Sequence, residues 1–268
     1  MEASAEAGAA AAAAARTLRW AGRAGHLGGL PRAAVFAAVG AFAKAYASLL
    51  NTTTVHNADA LLRLVSSRAP GTPLLTVSNH MSTLDDPLMW GFKGFPTSDA
   101  KLGRCHTPAY RFWPPFNSKF YHDIFKQLHT FPEGKIVQDD QPIRRLKWGT
   151  ASLIVRAPIT PIVLPIVHSG FEKVMPEKSF FGRRPPVPLC SKKIDIIVGE
   201  PIEFDMPSLK QEASMVPHDS SSEQKGWPPI TPDGLDEVAQ RWLYQKMSDK
   251  VQSVMERLRK TVINLKQH

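Results

Sequence analysis

The run Thr160-Pro161-Ile162-Val163-Leu164-Pro165-Ile166-Val167 constrains the fold more than any other part of the chain. It carries no charge, is rich in β-branched residues and is bracketed by prolines, so it reads as a strand buried on both faces. Leu74-Leu75-Thr76-Val77, Gln127 to Phe131 and Ile194 to Val198 are further strand candidates, with Leu146 to Arg156 predicted helical ahead of the proline-bracketed run. Strands alternating with helices predict an α/β fold, a layered mixed sheet flanked by helices, with a site at the strand ends. The 268 residues suffice for one sizeable domain and not comfortably for two.

Two short motifs stand at the exits of predicted strands. Asn79-His80-Met81-Ser82-Thr83-Leu84-Asp85 places an imidazole five positions before a carboxylate. Histidine titrates near neutrality and can take a proton from an attacking group, while a carboxylate on its other ring nitrogen fixes the tautomer. His80 is expected as general base and Asp85 as its orienting partner, with Asp86 the rival one residue away. A plain helix cap at Ser82 or Asp85 is the structural alternative. The second motif, Phe131-Pro132-Glu133-Gly134, holds Glu133 on a tight turn, and Lys135, Arg144, Arg145 and Lys147 follow it. No G-x-S-x-G elbow is present, which disfavours a serine hydrolase.

In this order the motifs resemble those of the glycerolipid acyltransferases, and of the tafazzin family in particular. Thr54-Val55-His56-Asn57, Asp85-Asp86-Pro87, Arg145-Leu146-Lys147-Trp148-Gly149 and Pro161 to Gly170 carry the same likeness. It takes in the chain to about Gly94 and again from His129 to about Pro207, and looks like that of a plant member. The resemblance implies acyl transfer or transacylation onto a lysophospholipid such as monolysocardiolipin or lysophosphatidylcholine. His80 and Asp85 would be catalytic, and Asn79, Glu133, Gly134, Lys135, Arg145 and Lys147 would bind the acceptor. N-acylphosphatidylethanolamine synthesis is the alternative activity among plant relatives, and a catalytically impaired lipid-binding relative is another. No bound cofactor is implied; the donor is another phospholipid or acyl-CoA.

The chain also departs from the pattern. The family carries a G-x-x-x-x-x-x-R block between the two motifs, and here the interval holds Arg104-Cys105-His106-Thr107-Pro108-Ala109-Tyr110-Arg111-Phe112-Trp113-Pro114 instead. The interval is shorter than expected by about a strand plus a helix, so a core segment is expected to be lost and replaced. Arg104 or Arg111 is the candidate substitute for the missing arginine.

The formal charge of +9, from 33 Lys and Arg against 24 Asp and Glu, favours an anionic partner. Membrane phospholipids at an anionic lipid surface are expected; no nucleic-acid motif is present. Cys105 and Cys190 are too few for a disulfide framework, and no metal site is expected. Residues 7–58 hold no Asp or Glu but do hold Arg16, Arg19, Arg23, Arg32 and Lys44, a composition like that of a transit segment. A mitochondrial membrane is the expected location, with another intracellular membrane the alternative.

The expected organisation is a low-complexity or targeting segment (1–32), a membrane-interfacial helix (33–50) and an acyltransferase-like domain (51–213, atypical over 92–128). A linker (214–230) and a C-terminal helix (231–268) follow. Thr231-Pro232 is expected to start that helix. Its apolar stripe would be Leu235, Val238, Trp242, Met247, Val251, Val254, Leu258, Val262 and Leu265.

Overall fold

The computed structural model describes residues 26–97, 105–106, 127–139, 141–179, 181–217 and 234–266. The described strands are β1 (Thr52–His56), β2 (Leu74–Ser78), β3 (Cys105–His106), β4 (Gln127–Thr130), β5 (Ile162–Ser169) and β6 (Lys193–Val198). They form one sheet in the order β1-β6-β5-β2-β4-β3. β2 runs parallel to both β4 and β5, and β1 parallel to β6, while β5 and β6 are antiparallel. Val77 pairs with Thr130 and Ser78 with Ile166, so the C-terminal ends of β2, β4 and β5 reach one edge together. The loops that carry the two motifs leave from that edge.

The helices are α1 (Leu30–Lys44), α2 (Ala58–Ser67), α3 (Asp85–Met89), α4 (Gly149–Arg156), α5 (Phe171–Val174), α6 (Met206–Ser214) and α7 (Glu237–Lys266). Strand side chains alternate between faces with a period of two, and β5 shows this best. Val163 and Val167 join a core with Leu75, Val77, Leu128, Ile154, Leu243 and Met247 beneath α4 and α7. Leu164 and Ile166 join Leu61, Leu74, Leu88, Phe171 and Ile196 on the α2 and α3 side. The layered mixed sheet expected from the sequence is the observed architecture.

The C-terminal helix differs in its start. Residues 231–233 lie outside the described residues, Gly234 turns the chain at φ 77, and the helix begins at Glu237. Asp236 caps it by accepting the N–H of Ala239 (2.9 Å), the role expected of Thr231 from the sequence. The buried stripe of α7 is also turned slightly, centring on Ala239, Leu243, Met247, Val251 and Met255, with Trp242, Val254, Leu258 and Leu265 on its flank.

Leu27–Leu50 is long and apolar enough to cross a membrane by length and composition. Here α1 continues through a wider helical turn, Ala45–Leu50, and docks along one side only. Ala43 and Ala47 are buried, whereas Val35, Val39, Phe42, Leu49 and Leu50 face outward. Gly91 makes the docking possible: a Cβ there would lie 2.0 Å from Ala43 O and 2.9 Å from Ala47 Cβ. Ser48 Oγ donates to Gly91 O (2.9 Å) across the same contact.

Candidate active site

β2 delivers Asn79 and His80 at its C-terminal end, and the loop 79–84 folds back around the carboxylate of Asp85, the first residue of α3. Asp85 Oδ2 accepts the backbone N–H of Met81 (2.6 Å) and of Ser82 (2.8 Å). The same oxygen lies 3.0 Å from His80 Nδ1. Asp85 is fully buried and the His80 side chain is 22% exposed. A carboxylate can only accept here, so the neutral form of the ring carries its proton on Nδ1 and has its lone pair on Nε2. Asp86 is turned elsewhere and accepts from Trp90 Nε1 (3.2 Å). The N-cap of α3 is Leu84, with no side-chain cap bond, so the Asp85 carboxylate serves the preceding loop and the ring and does not cap the helix.

The segment after β4 fixes the His80 backbone from the other side. Val137 N–H donates to His80 O (2.7 Å), and Glu133 Oε1 stands 3.4 Å from His80 N. The His80 ring stacks on Phe131 with centroids 4.0 Å apart and planes at 15°. Phe131 in turn meets His129 edge-on, and His129 meets Trp90, so aromatic packing continues beneath the base. Buried His129 sits with Nδ1 2.8 Å from Thr76 Oγ1 and Nε2 3.2 Å from Ser78 Oγ.

Glu133 is buried on a turn closed by Gly134 N–H donating to Phe131 O (3.0 Å). Burial pushes its carboxyl above the usual carboxylate range, partly offset by the His80 and Arg144 backbone amides and the Arg144 charge. Gly134 takes φ +67, and an added Cβ would fall 2.7 Å from the Lys147 side chain, which covers the turn. Lys147 N–H donates to Pro132 O (2.8 Å), so Lys147 is part of the same turn. Lys135 is exposed beside it. Arg145 lies apart from this group, donating to Gln245 Oε1 on α7 (3.1 Å) and standing 5.7 Å over the Trp148 ring.

Asn79 holds the loop rather than reaching outward. Its Nδ2 donates to His168 O and its Oδ1 accepts His168 N–H, both at 2.9 Å. His168 Nε2 lies 3.0 Å from Asn79 O and 3.7 Å from Asp85 Oδ2. Complete burial holds the His168 pKa below its ordinary value, with the Asp85 and Glu172 charges acting against that shift. A second histidine thus stands near the same Asp85 oxygen that His80 meets. It closes an apolar strand and is followed by Ser169-Gly170, a polar end that could have marked it in the sequence. A small cavity of about 30 Å³ opens beside it, lined by Asn79, Glu133, His168, Ser169, Arg259 and Val262 among others. Arg259 and Val262 bring α7 to the site, which the helix's sequence pattern did not reveal. Arg104 and Arg111 lie outside the described residues.

No family model matches the chain. It is 49% identical to N-acylphosphatidylethanolamine synthase of Arabidopsis thaliana, over 91% of its own length and 97% of that protein's. It is 31% identical to tafazzin of Drosophila melanogaster over 68% of the chain and 54% of that protein, and 31% identical to the Dictyostelium discoideum tafazzin over 64% and 69%. The Arabidopsis alignment spans 278 positions but takes in only 91% of this chain, so it bridges roughly thirty positions where the chain has no residue. That is about one strand, one helix and their connections. Fold, site and relatives together define the class as phospholipid acyltransferases and transacylases. Within that class, the chain belongs to the tafazzin family of glycerolipid acyltransferases.

Proposed function

We propose that the protein transfers an acyl group to the amine of phosphatidylethanolamine, forming an N-acylphosphatidylethanolamine. The observation that carries this reading is the 49% identity to a synthase of that name over 97% of its length. The amine nitrogen, once it has released its ammonium proton, attacks the carbonyl of a thioester or ester donor. His80 Nε2 removes the second proton as the C–N bond forms, and Asp85 stabilises the resulting imidazolium. The imidazolium then returns that proton to the leaving group, the thiolate of CoA or the oxygen of a lysophospholipid, as the carbon–leaving-group bond breaks. Glu133 and the Gly134 turn, with Lys135 and Lys147, hold the acceptor headgroup; charge-assisted bonds from the lysines suit its phosphate. Arg145 serves the acceptor from further out, at the α7 side of the turn.

A second reading is O-acyl transfer to a lysophospholipid such as monolysocardiolipin, favoured by the 31% identity to tafazzins. The same base would then act on a hydroxyl. Membranes containing the full chain, given labelled phosphatidylethanolamine and labelled lysophospholipids with acyl-CoA or donor phospholipid in separate reactions, distinguish them. A transferred acyl group that stays bound through mild alkaline methanolysis is held as the amide; one released as its methyl ester is held as the ester. Loss of either product in His80→Ala assigns it to this site, and no product from folded, membrane-bound protein leaves a lipid-binding relative. A mitochondrial membrane is the proposed location, on the transit-like composition of the first residues. A fluorescent fusion of residues 1–60 that remains elsewhere would refute it.

A further inference from the structure

The segment 175–193 leaves the active site and returns at the end of the exposed apolar helix. Gln138 fixes its start: Nε2 donates to Met175 O (3.0 Å) and to Met81 O (2.7 Å), while Oε1 accepts the N–H of Glu177 (2.8 Å). Met81 is the neighbour of His80. At the far end, Ser191 N–H donates to Leu50 O (2.7 Å) and Lys192 N–H to Asn51 Oδ1 (2.8 Å). One loop therefore joins the residue beside the base to the last turn beyond α1.

The middle of that loop turns outward. Phe181 exposes 96% of its surface and Val187 60%. Phe181 and Gly182 take φ 51 and φ 77, consecutive left-handed residues, a conformation that bulky side chains rarely adopt. Lys178, Arg183, Arg184 and Lys193 are all exposed, and the loop's Glu177 is paired with Arg184. Where the loop returns, Leu49 and Leu50 are themselves exposed. An exposed aromatic flanked in sequence by cations, on a loop that returns to the end of an apolar helix, has the composition of an element that sits at a membrane–water boundary.

We propose that the described residues 181–190 of this loop form a second membrane-contact element, with Phe181 and Val187 entering the headgroup–acyl boundary of an anionic lipid surface and Arg183 with the flanking lysines meeting its phosphates. The inference rests on the reading that the substrates are membrane phospholipids and names the surface that meets them. With α1 on one side and this loop on the other, the protein rests on the bilayer at two places, and the loop's Gln138-bound start lies beside His80. A lipid arriving laterally between the two contacts comes to the base without leaving the surface. The cations contribute a salt-sensitive share of the attraction and the side chain of Phe181 an insensitive one.

The test uses the full chain with an environment-sensitive nitrobenzoxadiazole label at Phe181→Cys, with Cys105→Ser and Cys190→Ser. A control carries the label at Gln211→Cys on the exposed side of α6. Both are mixed with phosphatidylcholine vesicles containing phosphatidylglycerol, with and without lipids brominated near the headgroup end of the acyl chain. The expected result is a blue shift and bromolipid quenching at 181 and neither at 211. Phe181→Asp, in unlabelled protein that melts like the parent, is expected to partition about tenfold more weakly into the same vesicles. A label at 181 that stays in water, or quenching equal at both positions, overturns the proposal, and so does failure to bind these vesicles. None of these readings needs turnover. Protein that buries residue 181 but makes no acylated lipid loses the acyl-transfer reading alone; protein that makes product with residue 181 in water loses the loop alone.

Discussion

Asn79 and His168 are joined by three hydrogen bonds: Asn79 Nδ2 donates to His168 O, His168 N–H donates to Asn79 Oδ1, and the His168 ring meets the Asn79 backbone carbonyl. The clasp ties the residue before the base to the central strand. Asn79→Ala breaks two of the three and leaves a buried N–H and a buried carbonyl unsatisfied. The expected cost is about 2–4 kcal/mol in a denaturant titration. Acyl transfer should fall by about a hundredfold even where the variant is fully folded, because the base is no longer held in place.

Asp85→Asn keeps the size of the side chain and removes its charge. An amide can still accept the Met81 and Ser82 N–H groups, but it no longer stabilises a protonated His80. Transfer is expected to fall by about two to four orders of magnitude. Folded Asp85→Asn protein with full activity would remove Asp85 from the mechanism.

Two buried groups give the stability opposite dependences on pH. The carboxyl of Glu133 is raised above its ordinary 4.5, so the folded protein holds that proton longer than the unfolded chain. Its contribution to stability is present below 4.5 and is lost as pH rises through the folded value. Glu133→Gln should therefore raise the melting temperature at neutral pH while weakening transfer by about tenfold or more. His168 is lowered below its ordinary 6.5, so the unfolded chain takes up a proton that the folded protein refuses. Stability should fall as pH drops below 6.5, and His168→Gln should flatten that fall. Calorimetry from pH 4 to 8 on the parent and both variants reads both effects.

Gly91 is a contact position with no room to spare. Gly91→Ala puts a methyl group 2.0 Å from the Ala43 carbonyl, so α1 must move away. Overpacking of this kind costs about 1–3 kcal/mol. Hydrogen exchange should quicken in residues 40–50 while the strands remain protected. Unchanged exchange there would show that α1 does not depend on this contact.

The parts of the molecule that were legible in the sequence are those with a repeated physical signal. β5 is apolar on both faces and sits centrally, where nothing else could satisfy it, and the chain spells this out. β1 is Thr52-Thr53-Thr54-Val55-His56, an edge strand with little apolar contrast between its faces, and its period is hidden. The His80–Asp85 spacing was legible because both members lie within six consecutive residues, at the two ends of one loop. His168, Gln138 and Arg259 come from other elements, and only the convergence of β5, the post-β4 segment and α7 brings them together. Asn79 read as a substrate ligand because it adjoins the base, yet both ends of its amide are taken by His168. Arg145 read as part of the basic group at the Glu133 turn, and its reach toward Gln245 depends on a helix a hundred residues away.

The short helix α3 opens with the acid that steers His80, and Gly91, the seat of α1, follows two residues after its end. Imidazole and apolar helix thus meet on one short stretch of chain, and the distance between them is set by the α3 backbone and by the packing of α1 on Gly91. Were α1 to rest at a fixed level in a leaflet, this spacing would hold the base at one height above the acyl chains, and the position of a bond along the lipid would then count alongside its chemistry.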